Sequence, residues 1–377
     1  MATSLTSKST INVLLLGATG SLGSRIFGTL LERPSVDVTV VVRSRDKMNR
    51  ILYNRQHPSR QALDPASPSS SLERQLSIIE GDATDSDLLA RVMREKSIQV
   101  LVNAAGHAPM FAGRSSHSVS DGKDMAFGSD NEVARIVRAS VDAIEDVAKS
   151  VEVDTAETRV RGWFIGGMLL LDLPESHGGR AKQLAPEKAH SLDTYLPLYL
   201  HHRPLESILR SSKHLDWTLV CPAKMIPRTQ QRSKPPTSSA VPGDDNATSV
   251  ARRTPSPTLV ATADVPPRWT VWPVLRALPW GIGPVLEIMV NSPRYTVTFE
   301  HVAEFIVDSI VREHGLYQER EQKQEQEQDQ DVSRNDHERD PHEVPGSVVG
   351  REEGERREDE GVWINSKIGL IACPGRA

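Results

Sequence analysis

The chain has 377 residues, with 45 Lys+Arg against 50 Asp+Glu and a formal net charge of −5. Cys221 and Cys373 without any CxxC spacing exclude a disulfide framework and a zinc ribbon, and no apolar run approaches the roughly 18 residues of a membrane-spanning helix. The apolar run Ile11–Leu16 is too short for the core of a secretory signal, so a cytoplasmic chain with no membrane partner is expected, with the Asn246-Ala247-Thr248 sequon read as accidental.

In chain order, the continuous apolar run Ile11–Leu16 predicts a strand buried on both faces. A helix is expected over 21–32, where Leu22, Ile26 and Leu30 recur every four residues beside Phe27 and Leu31. The β-branched Val36–Val42 predicts a second strand. Residues 54–75 mix Pro, Ser and Arg without periodicity and are expected to be a polar loop insertion. A strand over 76–80, a helix over 85–95 and a strand over 99–103 follow, then a long amphipathic helix over 131–149. Further strands are expected over 162–166 and 217–221, with a helix over 195–210 between them. Residues 228–268 hold seven prolines among many Ser and Thr and are expected to be a second insertion. The final elements are a helix over 299–312 and a strand over 362–372. Between them, 318–360 is a Gln/Glu-rich tract of 16 acidic and 7 basic residues, expected to be a disordered insertion.

Length alone suggests two or three domains, but removing the three insertions leaves about 271 residues of alternating strand and helix. This predicts an α/β fold, a Rossmann-like doubly wound parallel sheet in a single domain over 10–377. The negative charge belongs to the 318–360 tract; the remainder carries 38 basic and 34 acidic residues, too balanced to suggest nucleic acid as a partner. A block of charge of this kind suits docking of a protein partner.

Gly17-Ala18-Thr19-Gly20-Ser21-Leu22-Gly23 follows a buried strand and opens a helix. Glycine here permits a tight turn and close approach of a pyrophosphate, while the helix N-terminus presents free N–H groups to the phosphates. The second strand ends at Arg43, with Arg45 and Lys47 beyond it and no acidic residue at the strand end. Arg suits a 2′-phosphate where an acidic residue would bind the ribose of NAD, so NADP is expected in preference to NAD. Asp82 and Ala83 end the third strand, and Ala104, Ala105 and Gly106 end the fourth. Both turns lie at carboxyl ends of strands, where open α/β sheets bind ligands. Gly166 and Pro222 hold the equivalent places after the fifth and sixth strands.

GATGSLG, VVRSRDK, GDATD and VNAAG, in this order, resemble the short-chain dehydrogenase/reductase superfamily. WFIGGMLLLDLP, HRPLESILRSSKHLDWTLVCPAKM and YTVTFEHVAEFIVDSI resemble its atypical branch, with NmrA-like and flavin (biliverdin) reductase B-like proteins. A weaker likeness is to averufin oxidase-like enzymes. The resemblance covers the ordered segments and none of the insertions. It implies hydride transfer between a nicotinamide and a small-molecule carbonyl, quinone or flavin-like acceptor.

It also implies a Tyr-x-x-x-Lys pair on the helix after the fifth strand and a Ser at that strand's end, from which this chain departs. Gly166-Gly167 stands where Ser is expected, and Tyr199 is followed four residues later by Arg203. On one helix the two share a face, and Arg, always protonated, binds ribose or phosphate oxygens. A second register puts His202 at the Lys position, four residues before Glu206, and Leu198 at the Tyr position; both registers stay open. Tyr199, His202 and Arg203 are the candidate catalytic residues, with His202 able to give a proton near neutral pH. No metal is expected, because adjacent His201 and His202 point apart on a helix. Pro222-Ala223-Lys224 is read as a wall beside the nicotinamide, Met225, Trp272, Trp280 and Met289 as lining for an apolar acceptor, and Cys221 as structural. Two other uses of such a site are a non-catalytic dinucleotide-binding sensor, docking through the acidic tract, and an isomerase or dehydratase.

Overall fold

The computed structural model describes residues 10–56, 75–106, 131–150, 159–173, 191–192, 195, 202–222, 224–228, 258–276, 278, 282–292, 295–335 and 364–373. Strand β1 (Ile11–Leu16) leads through the glycine turn into α1 (Gly23–Leu31), then β2 (Val36–Val42), α2 (Arg45–Gln56), β3 (Leu76–Glu80), α3 (Ser86–Glu95) and β4 (Val100–Asn103). Helix α4 (Glu132–Lys149), β5 (Val160–Ile165), a 3-10 turn over Met168–Leu170, α5 (Leu205–Arg210) and β6 (Leu215–Pro222) follow. Beyond them lie β7 (Lys224–Ile226), β8 (Thr258–Ala263), α6 (Pro273–Arg276), α7 (Ile282–Asn291), β9 (Thr296–Thr298), α8 (Phe299–Asn335) and β10 (Ser366–Cys373).

The eight-stranded sheet has the order β3-β2-β1-β4-β5-β6-β10-β8. Every pairing is parallel except β10 with β8, which is antiparallel. This is the expected doubly wound fold, and the order reverses between β1 and β4, where such sheets open a ligand crevice. Strands buried on both faces explain the unbroken apolar runs: Leu14, Leu16 and Leu101 join one core, while Val13, Leu15 and Val102 join the other. The first core is covered by α3, α4 and α5, the second by α1 and α8.

Local chemistry starts two of these helices. The Asp85 carboxylate accepts from the Leu88 amide at 2.9 Å, and the Asn131 side chain accepts from the Ala134 amide at 2.9 Å. Each cap contributes about 1 kcal/mol. Helices α1 and α8 run side by side in the same direction, because Arg25 pairs with Glu300 and Arg33 with Asp308, eight residues further along both. On β5, Arg161 meets Glu313 at 2.8 Å, donates to Thr218 Oγ1 at 2.6 Å and lies over the Trp163 ring.

Three expectations need correction. The 228–268 stretch is not wholly an insertion: Thr258–Ala263 is strand β8, paired with β10 from Ala263↔Ile368 to Thr258↔Cys373. Thr and Val there supply the β-branched side chains a strand accepts. The helix expected to end at residue 312 continues to Asn335, so the first part of the acidic tract is helical; Glu, Gln and Arg all propagate a helix already nucleated by packing. The helix expected from residue 195 begins at Leu205. Pro204 explains this, since a residue preceding proline is disfavoured in the helical region. Tyr195 instead lies in a turn, its amide donating to Leu192 O at 3.1 Å.

Helix α7 buries polar side chains beside Ile288 and exposes apolar ones. Glu287 and Asn291 are fully buried, whereas Ile282, Met289 and Val290 are exposed. The buried pair is satisfied: Trp269 Nε1 donates to Glu287 Oε1 at 2.9 Å, and the Asn291 side chain exchanges hydrogen bonds with the Thr270 backbone at 3.0 and 3.1 Å. Among the described residues no helix is long and apolar enough to cross a membrane.

Candidate dinucleotide site

The carboxyl ends of β1 and β4 meet at the glycine turn. Gly17 has φ +79°, and a Cβ there would lie 2.5 Å from the Ala105 amide nitrogen and 2.6 Å from the Ala104 carbonyl. A Cβ on Gly23 would stand 2.0 Å from the Gly17 carbonyl oxygen. Glycine is therefore required at 17 by both conformation and space, and at 23 by the packing of α1 onto its own turn. The turn is closed by the Gly20 amide donating to Gly17 O at 2.9 Å. Ala18 and Leu22 send their side chains into the core, leaving their backbone for any ligand, while Gly20 and Ser21 are exposed. The opening of α1 has no side-chain cap; its Ser24 and Arg25 amides donate to the backbone of the turn, to Gly20 O at 3.0 Å and Leu22 O at 2.9 Å.

The neighbouring turns converge on the same edge. Asn103 Oδ1 accepts from the Ala105 amide at 3.0 Å, which shapes the Ala104-Ala105-Gly106 turn after β4. At the end of β3, the Thr84 amide donates to Asp82 Oδ1 at 2.9 Å, and this bond holds the Asp82 carboxyl below its ordinary range. Ala83 packs on the core. Arg43 ends β2 with its guanidinium 3.5 Å from Glu132 in the first turn of α4, close enough to Asp82 to add to that lowering. It is 79% exposed and thus reaches from the sheet edge toward solvent. Arg45 and Lys47 belong to α2, whose start is marked by Ser44 Oγ accepting from the Lys47 amide at 3.3 Å.

At the end of β5 the two glycines differ. Gly166 is buried, its amide donating to Val220 O at 2.8 Å and its Cβ position filled by Leu170 and Leu219. Gly167 faces His202: a Cβ there would lie 3.2 Å from His202 Nδ1. The imidazole thus takes the space of the side chain expected at this strand's end. Arg203, beside it, is exposed. Tyr199, Leu198, His201, Ala223 and Trp280 lie outside the described residues. Pro222 is buried at the end of β6, opposite Leu370 of β10.

Of the residues read as an acceptor lining, Met225 packs against the α1/α8 core, while Trp272 and Met289 are 44% and 59% exposed. Cys221 is fully buried and burial pushes its thiol up, so it stays protonated. Among the described residues no group of three or more His, Cys, Asp or Glu suits a metal ion.

Two features escape a reading of the sequence. Lys367 is buried on β10, its ammonium 2.9 Å from Asp172 and 3.3 Å from Glu206. Burial pulls that ammonium down, but the two carboxylates outweigh it and hold it above its ordinary value. Burial likewise pushes Asp172 up, against the pull of Lys367. The only signal in the sequence is a charge inside the strand Ser366–Cys373. The second feature is His301, 6% exposed in the first turn of α8, with neither ring nitrogen hydrogen-bonded. Nothing in its spacing marks it.

Several solved structures are similar to this chain. A short chain dehydrogenase from Burkholderia cenocepacia J2315 in complex with NADP is 18% identical, over 61% of this chain and 78% of that one, with a TM-score of 0.35. ChuY, an anaerobillin reductase from Escherichia coli O157:H7, is 16% identical over 57% and 74%, with a TM-score of 0.33. A Lactobacillus casei protein is 12% identical over 96% and 100%, with a TM-score of 0.42. No curated protein matches the chain. Residues 13–119, which run from β1 past the turn after β4, match the NAD dependent epimerase/dehydratase family. That match falls on the glycine turn and on the β1 to β4 half of the sheet.

Proposed function

We propose that the protein is an NADP-dependent oxidoreductase acting on a small carbonyl, quinone or flavin-like acceptor. The observation that carries the reading is the Gly17 cradle, closed to any side chain at the start of α1. The residues fit a dinucleotide: the turn backbone at Ser21 and Leu22 suits the pyrophosphate, the Ala104-Ala105-Gly106 turn leaves room for adenine and ribose, and Arg43 suits a 2′-phosphate. When bound, the nicotinamide supplies or accepts the hydride.

Reduction of a carbonyl adds a hydride to carbon and a proton to oxygen. His202 is the candidate proton donor, supported by its position against Gly167. Tyr199 is an alternative donor, and Arg203 a candidate contact for ribose or phosphate oxygens. With so little acid/base equipment, holding the acceptor against the nicotinamide and excluding water must supply most of the rate. In the test, the purified chain is given NADPH with quinones, flavins and carbonyl compounds. The reading predicts oxidation of NADPH by at least one class, and a His202→Phe rate about 100-fold lower at unchanged NADPH affinity. Binding of NADPH with no turnover of any acceptor would refute it and favour a dinucleotide-dependent regulator that docks a protein through 318–360.

A second reading, an isomerase or dehydratase that retains its dinucleotide, is favoured by the family match over residues 13–119. Oxidised cofactor that survives dialysis of the purified protein would support it; complete exchange would exclude it.

A further inference from the structure

We infer that Lys367 is a positioning residue, its buried ammonium clamping together the two chain segments that bring His202 against Gly167; its catalytic consequence rests on the reading of His202 as proton donor above. The sheet register places it. Lys367 lies opposite Leu219 of β6, and Leu219 lies opposite Phe164 of β5, so Lys367 stands level with the residue two before Gly166. Its ammonium is 2.9 Å from Asp172 and 3.3 Å from Glu206. Each carboxylate belongs to one side of the His202–Gly167 contact. Asp172 follows Gly167 through a tight turn, in which the Leu170 amide donates to Gly167 O at 2.9 Å and the Leu171 amide to Met168 O at 3.1 Å. Glu206 lies in the first turn of α5, after His202, Arg203, Pro204 and the fully buried Leu205. Short, packed connections thus join both carboxylates to the place where a Cβ on Gly167 would lie 3.2 Å from His202 Nδ1.

A role confined to holding β10 in the sheet does not need this charge. The strand is paired along its length with β6 on one side and β8 on the other, and Ile368 and Leu370 are buried beside Lys367. An apolar side chain in place of a buried ion is often neutral or stabilising when the whole cluster is replaced. What the cluster adds is direction. Two carboxylates must meet one ammonium at hydrogen-bond distance, which fixes the turn after β5 relative to α5 where apolar packing alone tolerates slippage. Both arms are braced in turn. Glu206 Oε1 accepts from the Arg210 guanidinium at 2.8 and 3.0 Å. The Asp172 amide donates to Asp264 O at 2.8 Å, and Asp264 Oδ1 accepts from the Lys367 amide at 3.3 Å. A proton donor displaced by about 1 Å can lose about 100-fold in rate, so a device that fixes the two sides of His202 bears directly on turnover.

The test reads the His202 Hε1 resonance of the full chain without cofactor, assigned by its loss in His202→Phe, and then kcat with an acceptor that the NADPH screen finds active. Lys367→Met and Asp172→Asn remove opposite charges. Both are expected to displace the resonance and to lower kcat about ten-fold or more at unchanged NADPH affinity. Glu206→Gln, which keeps an acceptor for the ammonium, should give a smaller displacement in the same sense and serves if K367M does not fold. Glu313→Gln is the control for stability alone. It breaks the buried pair with Arg161 at the amino end of β5 and should lower the thermal midpoint with the His202 resonance and kcat at their wild-type values. An undisturbed resonance in K367M or, where that variant does not fold, in E206Q overturns the inference. Changes in kcat of opposite sign in K367M and D172N overturn it too, as do effects of E313Q equal to theirs. A displaced ring with turnover unaltered keeps the clamp and removes His202 as proton donor, so the two claims fall separately.

Discussion

The two halves of the sheet were assembled in different ways. From β1 to β5 each strand is joined to its neighbours by nearby helices, and the register follows from runs such as Val36–Val42 against Ile11–Leu16. Past β6 the partners are remote. Leu215–Pro222 pairs with Ser366–Cys373, and the outer strand Thr258–Ala263 joins antiparallel from a stretch rich in Pro and Ser. The first half carries the candidate cofactor turn, held by glycines and backbone. The second half carries polar groups buried in pairs: Lys367 with Asp172 and Glu206, Glu287 with Trp269, and Asn291 with Thr270. Crossovers through a single packed helix let local patterning specify a parallel sheet, whereas distant segments are registered by a few specific polar contacts.

If this contrast holds, damage to the turns of the first half should fall on ligand binding and damage to the buried pairs of the second on stability. The largest effect is expected from Gly17→Val, which drives a branched side chain into the Ala104–Ala105 backbone at a φ of +79°. Dinucleotide affinity should fall by about 100-fold or more with the circular dichroism spectrum retained; unchanged affinity would break the contrast. Lys367→Met leaves Asp172 and Glu206 facing each other around an apolar side chain, and should cost about 3 kcal/mol in denaturant unfolding. Because the folded ammonium is held above its ordinary value, its contribution is complete below the unfolded value of about 10.4 and is lost as pH rises through the folded one. The stability gap between wild type and K367M should therefore be constant from neutral pH upward and close only in strongly alkaline solution. A gap that closes near neutrality would place the charge elsewhere.

Specificity provides a finer probe of the first half. Arg43→Asp should weaken NADPH about ten-fold more than NADH, and equal losses would remove the 2′-phosphate role. Glu132→Gln frees the Arg43 guanidinium from its 3.5 Å partner and should shift the preference modestly the other way. The smallest effects are expected at the helix starts: Asp85→Ala and Asn131→Ala should each cost about 1 kcal/mol without touching affinity.

What was legible in the sequence tracks this division. The glycine turn, the buried strands and the amphipathic faces of α3 and α4 repeat at periods that local geometry imposes. The long loss of pattern over 228–268 concealed β8, because its apolar content is modest and its partner lies about a hundred residues away. The helix expected from 195 failed at Pro204, where a steric rule about the preceding residue outweighs amphipathic spacing. His202 was singled out for its chemistry, yet its contact with Gly167 joins two loops that no spacing rule relates. His301 had no signal at all, since a lone histidine in an apolar run reads as core.

The sequence by itself determined the doubly wound class, the glycine turn with its requirement for an anion-compatible backbone, and the confinement of negative charge to one tract. Those properties depend on residues close along the chain. Only the tertiary structure decided that His202 replaces a side chain at the end of β5, that Lys367 is neutralised by Asp172 and Glu206, and that α8 begins beside the glycine turn. Each of these depends on which distant surfaces meet, and burial and charge compensation have values only after that meeting has occurred.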